Sequence, residues 1–310
     1  MKKQLLIIAA SLSLMPVGNL FAVQNQTFIK STETLIAKNI SHSNHNESLM
    51  EKGDKKYKSK DYKGAITDYS KILINNPNDF HALFQRALAK SYLNDHVGAI
   101  KDYTKAIEID PEYASAFYNR GLSKDKIDDA YGAISDFNKA IAIDGKYQKA
   151  YIYRGYAKSD IGDHEGAIKD LTSAIEIKPE DAYGYSARGY VKERAGDYYA
   201  AISDYSKAIK IDPDDYYSFA GRGYAKGQIG DNKGAIIDFT KAIELNPDDS
   251  YSFFGRGVIN KISGNYDLAC DDWIKSSDLG YEHADKKANE CKNTANVKKN
   301  IQELLSSQNY

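Results

Sequence analysis

Apolar positions along this chain recur on two nested periods. The shorter one is helical: Ala133, Ile134, Phe137, Ala140 and Ile141 fall at i, i+1, i+4, i+7 and i+8, one face of a 3.6-residue helix. The longer one is a repeat of 34 residues. Gly-Ala-Ile begins at Gly64, Gly98, Gly132, Gly166 and Gly234, Ala200-Ala201-Ile202 fills the missing slot, and Leu268-Ala269-Cys270 closes the series. Alignment on it gives seven units without insertion: 46–79, 80–113, 114–147, 148–181, 182–215, 216–249 and 250–283.

Each unit predicts two helices with a turn between them. Gly162-Asp163, Gly196-Asp197 and Gly230-Asp231 mark the turn. The glycine suits the left-handed residue that ends the first helix, and the aspartate suits the cap of the second. Pro77, Pro111, Pro179, Pro213 and Pro247 follow the last apolar residue of a second helix, where a helix stops. A two-helix hairpin cannot cover its own apolar face, so the units must stack and hide one another's. Small residues stand where the helices cross. The eighth place of the unit is glycine or alanine throughout, from Gly53 to Gly257, and the twentieth is alanine in all seven, from Ala65 to Ala269.

These residues resemble the tetratricopeptide repeat. The family's pattern has a bulky residue at place 4, a small one at 8, alanine at 20, an aromatic at 24, alanine at 27 and proline at 32. Here place 24 is Tyr69, Tyr103, Phe137, Leu171, Tyr205, Phe239 and Trp273, and place 27 is Ala106, Ala140, Ala174, Ala208 and Ala242 in the five central units. The resemblance covers about three quarters of the chain. It implies an all-α fold: a right-handed α-solenoid of seven hairpins, with the first helices lining a concave groove. Residues 284–310 are expected to form a capping helix and tail. The last unit, with Ala269, Cys270, Asp272 and Trp273, also resembles the terminal units of bacterial and Sel1-like proteins.

Two departures from the family pattern carry charge. Place 7, commonly leucine, is Arg86, Arg120, Arg154, Arg188, Arg222 and Arg256. Place 11, often tyrosine, is Lys90, Lys124, Lys158, Lys192 and Lys226. Place 23 is aspartate in every unit, Asp68 and then Asp102, Asp136, Asp170, Asp204, Asp238 and Asp272. In an antiparallel hairpin places 7 and 23 lie level, which predicts a ladder of Arg–Asp pairs that sets register rather than a stripe for polyanions. Partly exposed pairs of this kind add well under about 1 kcal/mol each.

The groove is the candidate binding surface. Places 2, 5 and 9 of the first helices, which by the resemblance face the groove, hold Phe84, Tyr118, Ile152, Tyr156, Tyr183, Tyr190, Tyr217, Tyr224, Tyr251 and Phe254, with Tyr153 bordering them. Tyrosine combines a rigid ring with a hydroxyl, which suits it to gripping an extended chain. Some of these rings can instead pack between neighbouring repeats. A clamp for chaperone C-termini, known in the family, is not expected. Asn119 and Lys149 match its pattern, but Phe84, Leu88 and Tyr153 do not.

Composition narrows the function. Lysine and arginine number 42 and aspartate and glutamate 43, so nothing favours a phosphate backbone, and no nucleic-acid partner is expected. Residues 1–22 read as an export signal, with Lys2 and Lys3 before the apolar run Leu5 to Met15 and Ala22 at the cut. This predicts a periplasmic or secreted protein without a membrane span once the leader is removed; an uncleaved anchor is the alternative. Residues 23–45 read as a polar linker or lead-in helix. Cys270 and Cys291 either bridge in an oxidising compartment or remain two buried thiols. The histidines, His42 and His45 included, lack metal-ligand company, so neither metal nor cofactor is expected, and no catalytic constellation is found. The reading is a non-catalytic scaffold for a protein or peptide partner. The alternatives are an envelope assembly factor working through its convex face and ends, or an enzyme's accessory subunit.

Overall fold

The computed structural model describes residues 46–307, with side chains to Thr294. The leader and linker expected over 1–45, and the last three residues, lie outside the described residues. All regular structure among the described residues is α-helical. The chain divides into two compact units, one ending at Ile109 and the other beginning at Asp110.

The first unit holds helix α1 (46–58), α2 (Tyr62–Asn75), α3 (Phe80–Tyr92) and α4 (His96–Ile109). Its core joins Leu49 to Tyr69, Ile72, Leu83 and Ala106. The second unit holds α5 (Ala114–Asp125), α6 (Ala130–Ile143), α7 (Gln148–Asp160), α8 (His164–Ile177), α9 (Ala182–Arg194), α10 (Tyr198–Ile211), α11 (Tyr216–Gln228), α12 (Asn232–Leu245), α13 (Ser250–Ile262), α14 (Tyr266–Asp278) and α15 (Glu282–Ser307). Within each unit consecutive helices pack in pairs, and each pair packs on the next, which makes an α-solenoid.

The hairpins form because each turn is closed chemically. Asp61, Asp129, Asp163, Asp197 and Asp231 cap second helices by accepting from the backbone N–H three residues on, at 2.9–3.1 Å. The residue just before each cap is left-handed. Gly162, Gly196 and Gly230 take φ of 82–85°, whereas earlier turns force Lys60, Asn94 and Asp128 into φ of 61–64°. Proline stands two residues after α2, α4, α8, α10 and α12.

The crossing point explains the small residues. All seven alanines at place 20 are fully buried. A Cβ on Gly121 would meet the Phe137 ring at 2.7 Å, so the first helix can approach the second only without a side chain there. In the last hairpin Ser276 replaces alanine and is buried, donating to the Ser250 carbonyl at 2.7 Å. Helix α15 covers that hairpin with Ala284, Ala288 and Cys291. A disulfide between Cys270 and Cys291, with Cα atoms 5.5 Å apart, ties α14 to it.

Candidate functional site

Within the hairpins the charged ladder is more connected than the sequence suggests. Arg188 forks onto Asp204, with Nε and Nη2 each 2.8 Å from a carboxylate oxygen. Lys192 donates to the same carboxylate at 2.7 Å. Arg188 Nη1 also reaches Thr172 Oγ1 of the preceding hairpin at 3.0 Å. Arg86, Arg222 and Arg256 bond a hydroxyl on the preceding hairpin in the same way, and Arg154 bonds Asn138. Arg120 forks onto Asp136, beside Lys124. In the first hairpin, where no arginine stands at place 7, Lys56 and Lys71 hold Asp68. The aspartates are buried, while their arginine partners keep 15–22% of their side-chain surface exposed. A carboxylate sealed between helices needs its partners, and removing one is costly even where the intact pair adds little.

This ladder absorbs the arginines of places 7 and the lysines of place 11. The opposite edge of the first helices is left without them. In the second unit that edge encloses a cavity of about 960 Å³, lined from α7, α9, α11 and α13 and the turns before the last three. Tyr156, Tyr183, Tyr190, Tyr217 and Tyr251 line it, together with Tyr205 from α10. Tyr183, Tyr190 and Tyr217 are open to solvent at 46%, 42% and 65% exposure. Tyr156 is the ring behind them, with centroids 6.4 Å from Tyr183 and 6.1 Å from Tyr190. Burial pushes the hydroxyls of Tyr156, Tyr205 and Tyr251 above their ordinary range, so they stay protonated donors.

The space exists because side chains shrink along the repeat. Place 5 is bulky at Phe84, Tyr118 and Ile152 but small at Ser186 and Ala220, both in the lining. Place 6 falls from Tyr153 to Ala187 and Gly221. A Cβ on Gly221 would sit 2.4 Å from the Tyr205 ring, so glycine there makes room for that ring in the wall.

Not every predicted groove residue reaches this space. Ile152 is 1% exposed and belongs to the core with Leu171 and Val191. Phe84 is buried against Phe80 and Tyr103 in the first unit. Tyr118 is buried against Tyr147 and Phe137, and Tyr153 packs between Tyr118 and Tyr156. Tyr224 packs on Phe239 and Ile259, and Phe254 on Tyr281. These six fill gaps between helices where neighbouring side chains are also large, so they serve packing.

The lining also holds six carboxylates, Glu180, Asp181, Glu193, Asp212, Asp215 and Asp249. No lysine, arginine or histidine lines the cavity, and no ion pair among the described residues involves any of the six. Glu193 accepts from the Tyr205 hydroxyl at 3.0 Å. Desolvation pushes its carboxyl up to about 7, against that hydrogen bond. At the rim Arg194 pairs with Asp160 and lies 5.8 Å from the Tyr190 ring centroid. No group of three or more His, Cys, Asp or Glu among the described residues stands close enough to hold a metal ion. No helix among them is long and apolar enough to cross a membrane.

Comparison with known proteins agrees with this architecture. A tetratricopeptide repeat model matches residues 148–181, 182–215 and 216–249, and a model described as TPR repeat matches residues 92–125. Among solved structures, the MamA protein is 29% identical, with 55% of this chain and 93% of that one covered and a TM-score of 0.52. A tetratricopeptide repeat protein from Parabacteroides merdae ATCC 43184 is 18% identical, with 77% and 94% covered and a TM-score of 0.67. The C-terminal part of a TPR repeat-containing protein from Cytophaga hutchinsonii is 19% identical, with 76% and 97% covered and a TM-score of 0.57. The last two bear on the fold alone. No curated protein matches the chain.

Proposed function

The chain carries tetratricopeptide repeats, and from that premise we propose that it is a non-catalytic scaffold that captures an extended peptide segment of a protein partner in the tyrosine-lined cavity. The observation that carries this reading is the cluster of open rings, Tyr183, Tyr190 and Tyr217, around a space of about 960 Å³. Aromatic rings exposed together around a concavity are costly to leave in water and effective in binding. The double variant Tyr190→Ala/Tyr217→Ala should keep its helical circular dichroism and lose affinity for a captured peptide by about tenfold or more, since hot-spot tyrosines are worth about 2 kcal/mol each. Unchanged affinity would reject capture by this cavity.

We infer that residues 1–22 are an export leader, from which an address in the cell envelope or outside it would follow. We read the last hairpin and its disulfide as the Sel1-like cap of an exported bacterial array. A reporter active only outside the cytoplasm, fused after Ala22, tests the address. The second reading, an envelope assembly factor or accessory subunit, draws on the second helices, where Tyr131 and Tyr199 are each 74% exposed. In that case variants of Tyr131 and Tyr199 lose the partner and the cavity variant keeps it.

A further inference from the structure

The walls of the cavity say what its occupant must bring. Six carboxylates line it and no cation does, although basic and acidic residues are nearly equal in number over the chain, at 42 and 43. The imbalance is built in by the ladder, which turns the place-7 arginines and their neighbouring lysines onto the buried aspartates of the second helices. The carboxylates left in the cavity are compensated only by neutral donors. Glu193 has the Tyr205 hydroxyl, and Asp181 has the Gln148 amide at 2.7 Å. Asp249 has less. In the preceding hairpin Ser218 donates to Asp215 at 2.5 Å, but the equivalent Ser252 and Asp249 make no such bond, and Asp249 Oδ2 is buried without a partner. Asp249 also heads α13 without capping it. Glu193, Asp249 and Tyr251 line the same cavity, and burial above all retains the proton on the Tyr251 hydroxyl.

An acidic, aromatic concavity is complementary to a cation on a flexible stem. Ring faces attract an ammonium or guanidinium, and a carboxylate behind them completes the contact. The chain uses the same chemistry internally. Arg154 lies 5.3 Å from the Tyr151 centroid, and Arg188 5.9 Å from that of Tyr185. A metal ion does not satisfy the same walls, because no three carboxylates among the described residues converge. A neutral peptide would leave Asp249 Oδ2 without a partner and Glu193 with the Tyr205 hydroxyl alone.

We propose that the cavity receives a basic, extended peptide, with an arginine or lysine side chain laid along Tyr190 and Tyr217 and its charge met by Glu193 and Asp249. This rests on the capture reading and gives it a partner chemistry. The test is selection of randomised heptapeptides displayed on phage against the full chain, with binders sorted by their loss on the Tyr190→Ala/Tyr217→Ala variant. Cavity-dependent binders should carry arginine and lysine over aspartate and glutamate by about fivefold or more. They should also bind Glu193→Gln/Asp249→Asn about tenfold more weakly, the loss of about 1.4 kcal/mol. Circular dichroism melting of that variant confirms that it remains folded, and Glu193→Gln alone serves if the pair does not. Cavity-dependent binders with no basic preference, or with affinity indifferent to the charge variants, overturn the basic partner and leave capture standing. If no binder depends on Tyr190 and Tyr217, both readings fall.

Discussion

At the scale of single residues, Glu193 has the most legible physical consequence. Its carboxyl titrates near 7 in the folded chain because burial opposes the charge, with Tyr205 partly offsetting this. An unfolded glutamate titrates near 4.3. The folded state therefore holds this proton more tightly, and stability is greatest below the unfolded value. It falls as pH rises from about 4.5 to about 7, then stays level. The shift corresponds to a loss on the order of 3 kcal/mol. Glu193→Gln should thus raise the melting temperature at pH 8 and change it little at pH 4, in parallel thermal melts. An equal effect at both pH values would mean that the carboxylate is solvated. Sequence reading passed over Glu193 because place 12 of the repeat is otherwise Tyr57, Ser91, Asp125, Ser159, Gly227 and Lys261, with no period to single it out. The exposed tyrosines are legible because they do recur, Tyr183 and Tyr217 at place 2 and Tyr190 at place 9 after Tyr156. Tyr118 and Ile152 share the same helix face at place 5, and only packing separates them from Tyr183 and Tyr190. The shrinkage at Ser186, Ala220 and Gly221 was the available signal for where the repeat opens.

At the scale of helices, hairpin formation was readable almost in full. Turn aspartates, left-handed glycines, place-20 alanines and stop prolines each act locally, so their chemistry survives without knowledge of the fold. The pairing of place 7 with place 23 follows from the level at which two antiparallel helices face each other. The reach of Arg86, Arg154, Arg188, Arg222 and Arg256 to the preceding hairpin did not follow, because it depends on how hairpins stack, whereas the second cation at place 11 meets the aspartate of its own hairpin one turn on from the arginine. The consequence is a ladder that couples neighbours. Arg188→Ala should lower the urea midpoint by the equivalent of about 1–3 kcal/mol, since Asp204 stays buried and keeps only Lys192. Arg188→Lys should recover less than half of that, because an ammonium cannot make the fork and the link to Thr172 together. A loss below about 0.5 kcal/mol would reduce the ladder to a surface feature.

At the scale of the molecule, stacking makes each hairpin depend on its neighbours, and the last hairpin has a neighbour on one side only. Helix α15 and the Cys270–Cys291 bridge occupy the other side. Closing a loop of this length is worth about 3 kcal/mol. Reduction should therefore accelerate amide exchange in α14 and α15 first, while α7 to α12 remain protected; a uniform loss would show that the array melts as one body. The central claim is that partners are held by the first helices of the second unit. Hydrogen–deuterium exchange of the full chain, with and without a peptide selected on it, tests this directly. Protection is predicted in α9 and α11, over residues 182–194 and 216–228, and around Asp249. Protection confined to the second helices α8, α10 and α12 would contradict the account.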